Sequence, residues 1–193
     1  MIYPSINEKF VVDTSSELYS HDFLFSNGFK LSGKGILNTN ENFPKSRRKK
    51  INNEDFDGIL VDYLPVSGSE FDWHMVPTKV YAITFDEKIV KIGQTSITLK
   101  ERFGSYACGT RQYRERGTCS TTNFHLMEAA YAAIMMGQDV SVYSFDVPKE
   151  VMELEVFGET VKEPVRIAHI YENVLLNQYK KIVGEFPVFS SNG

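Results

Sequence analysis

The sequence predicts an α+β fold, a small antiparallel β-sheet flanked by helices, preceded by an N-terminal extension. Three observations predict it. Lys79-Val-Tyr-Ala-Ile-Thr-Phe85 and Ile89-Val-Lys-Ile92 are β-branched and aromatic runs joined by the polar Asp86-Glu87-Lys88, the pattern of a hairpin. Asp-Val-Ser-Val-Tyr-Ser-Phe at 139–145 alternates as a further strand. Around these runs stand segments of helical period that begin at Thr98, near Asn123 and at Pro164.

Taken in order, residues 1–75 carry no long apolar period and are broken by Gly28, Gly33, Gly35, Pro44, Pro65 and Gly68, which predicts an irregular arm or extension with one strand candidate at 57–64. Residues 76–193 carry the periodic segments and form the expected main domain. Gly93 is expected to end the hairpin. Thr98 with Glu101 three residues on is a capping-box signature, and Leu99, Phe103 and Tyr106 fall on one helical face. The next helix shows Met127, Ala130, Tyr131 and Ile134 as its stripe, with Gly137 where a terminating glycine belongs. Residues 152–161 read as a hairpin around Phe157-Gly158, and Pro164 opens a last helix to about Ile182.

At 193 residues with 42% hydrophobic and 24% charged composition, the chain can bury a core and is not disordered over most of its length. No apolar run reaches the roughly 18 residues of a membrane span, and the N-terminus lacks a basic flank with an apolar core, so a cytoplasmic protein without a membrane partner is expected. Cys108 and Cys119 lack any C-x-x-C spacing, and with His125 they form no regular metal-ligand pattern, so both read as free thiols.

The net charge of −4 argues against a nucleic-acid partner until its distribution is considered. Lysine and arginine gather in residues 45–50, which include Arg47, Arg48, Lys49 and Lys50, and again around Arg111, Arg114 and Arg116. Local basic patches on an acidic body suit an enzyme that grips phosphates and releases them, although either run alone reads equally as solvated surface.

Two residue placements concentrate the chemistry. In the last helix Val165, Ala168, Leu175, Leu176, Tyr179 and Val183 form one stripe, and Glu172 projects into its middle. An isolated carboxylate in an apolar stripe is costly, so Glu172 either pairs with a cationic side chain or binds a cation. Lys91 is an ammonium among Ile89, Val90 and Ile92, which on an edge strand is also a common guard against aggregation. Tyr81 lies ten positions earlier, and the two share a face only if the loop is odd in length or a bulge intervenes; a three-residue loop at Asp86 to Lys88 would pair Ile83 with Lys91.

The order Val80-Tyr81, then Lys91-Ile92-Gly93, then Arg102 resembles the GIY-YIG nuclease superfamily, with Glu172 in the place of its metal-binding glutamate. The extended run Ile97-Thr98, Ser105-Tyr106, Cys108-Gly109, Tyr113-Arg114, Gly117 to Asn123, Phe157-Gly158 and Glu172-Asn173-Val174 is similar to the type II restriction endonuclease branch, as is lysine in place of the usual YIG tyrosine. The resemblance spans about 79–184. Gln94 departs from it, since a neutral amide cannot transfer protons where that branch has a histidine, which leaves substrate positioning.

The resemblance implies a catalytic set of Tyr81, Lys91, Arg102 and Glu172, with one Mg²⁺ (or another divalent cation such as Mn²⁺) on Glu172. Phosphodiester hydrolysis needs charge stabilisation more than covalent chemistry, and these residue types supply it. Arg102 would fork onto phosphate oxygens. The Tyr81 phenol, its pKa lowered by the Lys91 ammonium and the metal, would take or relay the proton of the attacking water. The expected products carry 5′-phosphate and 3′-hydroxyl ends. Double-stranded DNA is the expected partner and a homodimer the expected assembly, because two cuts need two sites. Gln94, as a positioning contact, and the loop residues Arg111, Gln112, Arg114, Arg116, Thr118, Ser120, Thr121, Thr122 and Asn123, as base readers, are the candidate DNA contacts, while Arg47, Arg48, Lys49 and Lys50 meet phosphates. A phage or mobile-element nuclease of loose specificity, or a DNA-binding module without cleavage, are the alternatives.

Overall fold

Residues 79–85 are shielded from solvent along their whole length, and this places them inside a sheet with helices on both sides. A computed structural model describes residues 11–12, 21–37, 61–107 and 114–190. Its elements are α1 (His21–Ser26), β1 (Lys30–Leu37), β2 (Val61–Pro65), α2 (Glu70–Met75), β3 (Lys79–Phe85), β4 (Lys88–Thr95), α3 (Leu99–Ala107), α4 (Thr121–Met135), β5 (Val140–Asp146), β6 (Glu150–Val156), β7 (Glu159–Val165) and α5 (Ala168–Val183). Five strands form one antiparallel sheet in the order β2-β1-β5-β3-β4, and β6 and β7 form a separate hairpin. The α+β architecture is therefore that expected from the sequence.

The two faces of β3 feed two cores, as strand alternation requires. Tyr81, Ile83 and Phe85 pack with Leu99, Phe103 and Tyr106 of α3 and Leu126, Ala130 and Tyr131 of α4. Val80 and Ala82 pack with Ile89 and Ile92 of β4 and Leu175, Leu176 and Tyr179 of α5. The capping box forms as expected: Thr98 Oγ1 accepts from the Glu101 N–H at 3.3 Å, and Glu101 Oε2 accepts from the Thr98 N–H at 3.1 Å. Ser120 caps α4 through the Asn123 N–H at 3.1 Å.

Four local expectations are corrected. The strand candidate at 57–64 forms as β2, but the irregular texture of the first 75 residues conceals β1, and both strands extend the same sheet. The glycines of β1 hid its alternation, because Gly33 lies under Trp73 and Gly35 under Val140, where a Cβ would come within 2.5 Å and 2.7 Å of those side chains. The β3–β4 turn contains Asp86 and Glu87 rather than three residues, since Phe85 pairs with Lys88. Tyr81 and Lys91 still share a face, because a bulge at Val90 restores the Ile83–Lys91 pairing. Gly93 lies inside β4 opposite Tyr81 rather than at its end. Pro164 pairs with Val151 in β7, where an exposed two-stranded ribbon tolerates the missing N–H, and α5 begins at Ala168.

Candidate active site

Four elements bring the four expected residues to one place. β3 presents Tyr81, which is fully buried, on the face that meets α3. Arg102 and Tyr106 stand one helical turn apart on α3, so both reach the same phenol. Arg102 Nε donates to Tyr81 Oη at 2.9 Å, Arg102 Nη2 donates to Tyr106 Oη at 2.8 Å, and the two phenol oxygens lie 2.5 Å apart. The guanidinium also lies 4.6 Å from the Tyr106 ring centre. Gly93 completes this packing, because a Cβ there would fall 2.5 Å from the Tyr81 oxygen.

Burial raises the Tyr81 pKa, while Arg102 and the hydrogen bonds from Tyr106 and Arg102 work against that rise. The expectation that Lys91 lowers it is thus corrected in both respects: the cation at the phenol is Arg102, and loss of water outweighs it. Burial likewise drives the Tyr106 phenol well up. The pair is neutral at ordinary pH, and each oxygen is fixed by the same guanidinium.

Lys91 and Glu172 complete the group at its edge. Lys91 is 7% exposed, and its ammonium donates to the Phe189 carbonyl at 2.8 Å. Its pKa is pulled down to about 8, first by burial and then by Arg102, with Glu172 opposing. Glu172 comes from α5 on the opposite side of the sheet, and burial raises its pKa while Lys91, Arg102 and His169 lower it. Among the described residues Glu172 accepts no hydrogen bond and makes no ion pair, although Lys91, Arg102 and His169 are near enough to act on its charge. No group of three or more His, Cys, Asp or Glu side chains that could hold a metal ion occurs among the described residues.

The candidate DNA contacts are more scattered. Gln94 pairs with Val80 and projects to the α5 side of the sheet, away from Tyr81. Arg114, Arg116, Thr118, Ser120 and Thr121 are exposed, and Thr122 and Asn123 are half-buried. Part of this loop is occupied by structure: Arg114 Nη1 donates to the Cys119 carbonyl at 3.3 Å, Ser120 caps α4, and Asn123 Nδ2 donates to the Ser105 carbonyl at 3.1 Å. Arg47, Arg48, Lys49, Lys50, Arg111, Gln112 and Cys108 lie outside the described residues.

Three contributors were missed from sequence. From sequence Tyr106 stands on the apolar face of its helix and in the run that carries the resemblance, and its i+4 spacing from Arg102 is the available signal for its hydroxyl contacts. Phe189 and Ser190 carry no periodic signal and contribute through backbone and hydroxyl contacts to β4. Cavities of about 690 and 430 Å³ lie elsewhere, and neither is lined by Tyr81, Lys91, Arg102 or Glu172.

The restriction endonuclease HPY188I in complex with product DNA has the same fold, with a TM-score of 0.54 and 24% sequence identity over 92% of this chain and 88% of that one. A mutant of bacteriophage T4 EndoII aligns with a TM-score of 0.42 and 18% identity over 54% of this chain and 71% of that one. No protein-family profile and no curated protein matches the chain.

Proposed function

We propose that this chain is a metal-dependent DNA endonuclease of the GIY-YIG kind, working as a type II restriction enzyme on duplex DNA. The observation that carries the reading is the convergence of Tyr81, Arg102, Lys91 and Glu172 from four elements around a buried phenol pair. The fold shared with HPY188I, a restriction endonuclease seen with product DNA, supports it.

Each residue has a definite task. Two Arg102 donors are held by the phenols, and the remaining guanidinium hydrogens can meet phosphate oxygens. Lys91 adds a positive charge that loses little to solvent screening. In its ionised form Tyr81 would take the water's proton; burial opposes loss of the phenol's own proton, and Arg102 with Tyr106 eases it. Glu172 fits a hard cation, being a half-buried carboxylate with no bonded partner among the described residues. Bound there, Mg²⁺ or Mn²⁺ would supply Lewis-acid stabilisation of the phosphate and the leaving oxygen. A single protein carboxylate suits Mg²⁺, which keeps several waters and shares substrate oxygens. Two such sites in a homodimer would cut both strands.

Incubation of the purified protein with plasmid and Mg²⁺, followed by mapping of fragment ends, tests this. Discrete fragments with 5′-phosphate and 3′-hydroxyl ends are expected. A smear would instead indicate a nuclease of loose specificity, and intact DNA with a gel shift would indicate a binding module.

A further inference from the structure

β4 is an edge strand, and its outer side would otherwise leave backbone groups unpaired. Residues 187–190 lie along that side. The Phe189 N–H donates to the Val90 carbonyl at 2.9 Å, while Ser190 Oγ accepts from the Ile92 N–H at 2.7 Å and donates to the Ile92 carbonyl at 3.0 Å. These contacts flank Lys91 on both sides and fall on the bulge, where pairing with β3 skips Val90 and fixes the strand least. Covering an edge does not require a carbonyl aimed at an ammonium. Yet the Phe189 carbonyl is the hydrogen-bond acceptor of Lys91 among the described residues, and Ser190 is itself 8% exposed.

We propose that residues 187–190 are a positioning element of the active site: the Phe189 carbonyl aims the Lys91 ammonium, and the Ser190 hydroxyl holds the bulged strand that carries it. This rests on the membership of Lys91 in the site proposed above. Phe189 and Ser190 act through Lys91 and need touch neither DNA nor metal.

The test compares Ser190→Ala, Ser190→Thr and Lys91→Ala in the full chain by Mg²⁺-dependent plasmid cleavage across pH, DNA binding, and ¹⁵N NMR titration of the Lys91 ammonium. Ser190→Ala is expected to lower kcat by roughly tenfold with DNA affinity retained, the size of effect that loss of a paired hydrogen bond gives. Its Lys91 titration and the alkaline limb of its rate profile should both move up, because a released ammonium regains water. Ser190→Thr, which keeps the hydroxyl, should restore both. A Ser190→Ala variant with lower thermal stability but an unmoved Lys91 titration would overturn the proposal, leaving residues 187–190 as an edge cover alone. If Lys91→Ala cleaves like the wild type, the site assignment fails instead, and the titration still reports separately whether Ser190 positions Lys91.

Discussion

Two buried lysines stand at different ends of the β3–β4 pair, and the chain treats them differently. Lys79 is fully buried and bonds directly to Asp146 of β5; Lys30 of β1 reaches the same carboxylate at 3.3 Å and also bonds Asp72 of α2. Burial tends to raise the Asp146 pKa, but Lys79 and Lys30 hold it below the usual carboxylate range. Lys91 is almost as buried, yet a neutral carbonyl holds it, and the nearby Glu172 is not bonded to it. A lysine bonded to its own carboxylate is satisfied and serves the fold. In the proposed function, a lysine and a carboxylate kept near but apart would each serve a third party, an anionic phosphate for one and a cation for the other.

The contrast is broken most strongly at the site end. Tyr81→Phe and Lys91→Ala should each lower the cleavage rate by roughly 10²–10⁴-fold, the range for loss of a positioned proton-transfer or charge-stabilising group. Single-turnover cleavage measures it, and near-wild-type rates in either variant would remove that residue from the site.

Changing pH sharpens the comparison at Lys91. Its folded pKa of about 8 lies below the ordinary 10.5, so cleavage should fall as pH rises through about 8. Between those two values the unfolded chain binds more protons than the folded one, so this group's contribution to stability rises with pH over the same window. Activity and this part of the stability should therefore move in opposite directions, and Lys91→Ala should abolish the stability component. Rate profiles and denaturant midpoints across pH 7–10.5 check both signs.

At the other lysine the expected loss is structural. Asp146→Asn leaves Lys79 buried without its carboxylate and should reduce unfolding free energy by about 1–3 kcal/mol, less than for a fully buried pair because Asp146 is half-exposed. Below its melting temperature the variant should still cleave, as shown by paired thermal-melt and activity measurements. Smallest of all, Arg114→Ala should weaken discrimination among DNA sequences by about 1–3 kcal/mol while general affinity changes less. Uniform loss across cognate and scrambled duplexes would make Arg114 a phosphate contact.

Much of this arrangement was legible because periodicity reports burial. The β3–β4 runs, the Thr98–Glu101 box and the α5 stripe around Glu172 each predicted an element that formed, although Val165, counted in that stripe, lies in β7. Other features were hidden for physical reasons. The shared face of Tyr81 and Lys91 was correct, but a bulge rather than turn length produces it, and bulges leave no periodic mark. Gly33 and Gly35 make room for Trp73 and Val140, which erased the apolar alternation of β1. Tyr106 looked like one more buried aromatic, because its hydroxyl partners, Tyr81 and Arg102, meet it only after folding.

Glu172→Gln bears most directly on the central claim, since it keeps shape and hydrogen-bonding capacity but removes the charge that a cation needs. Mg²⁺-dependent plasmid cleavage and DNA binding measured side by side should show cleavage reduced by roughly 100-fold or more with affinity retained. Wild-type cleavage by Glu172→Gln, or equal loss of cleavage and binding, would contradict a metal-holding role for this carboxylate.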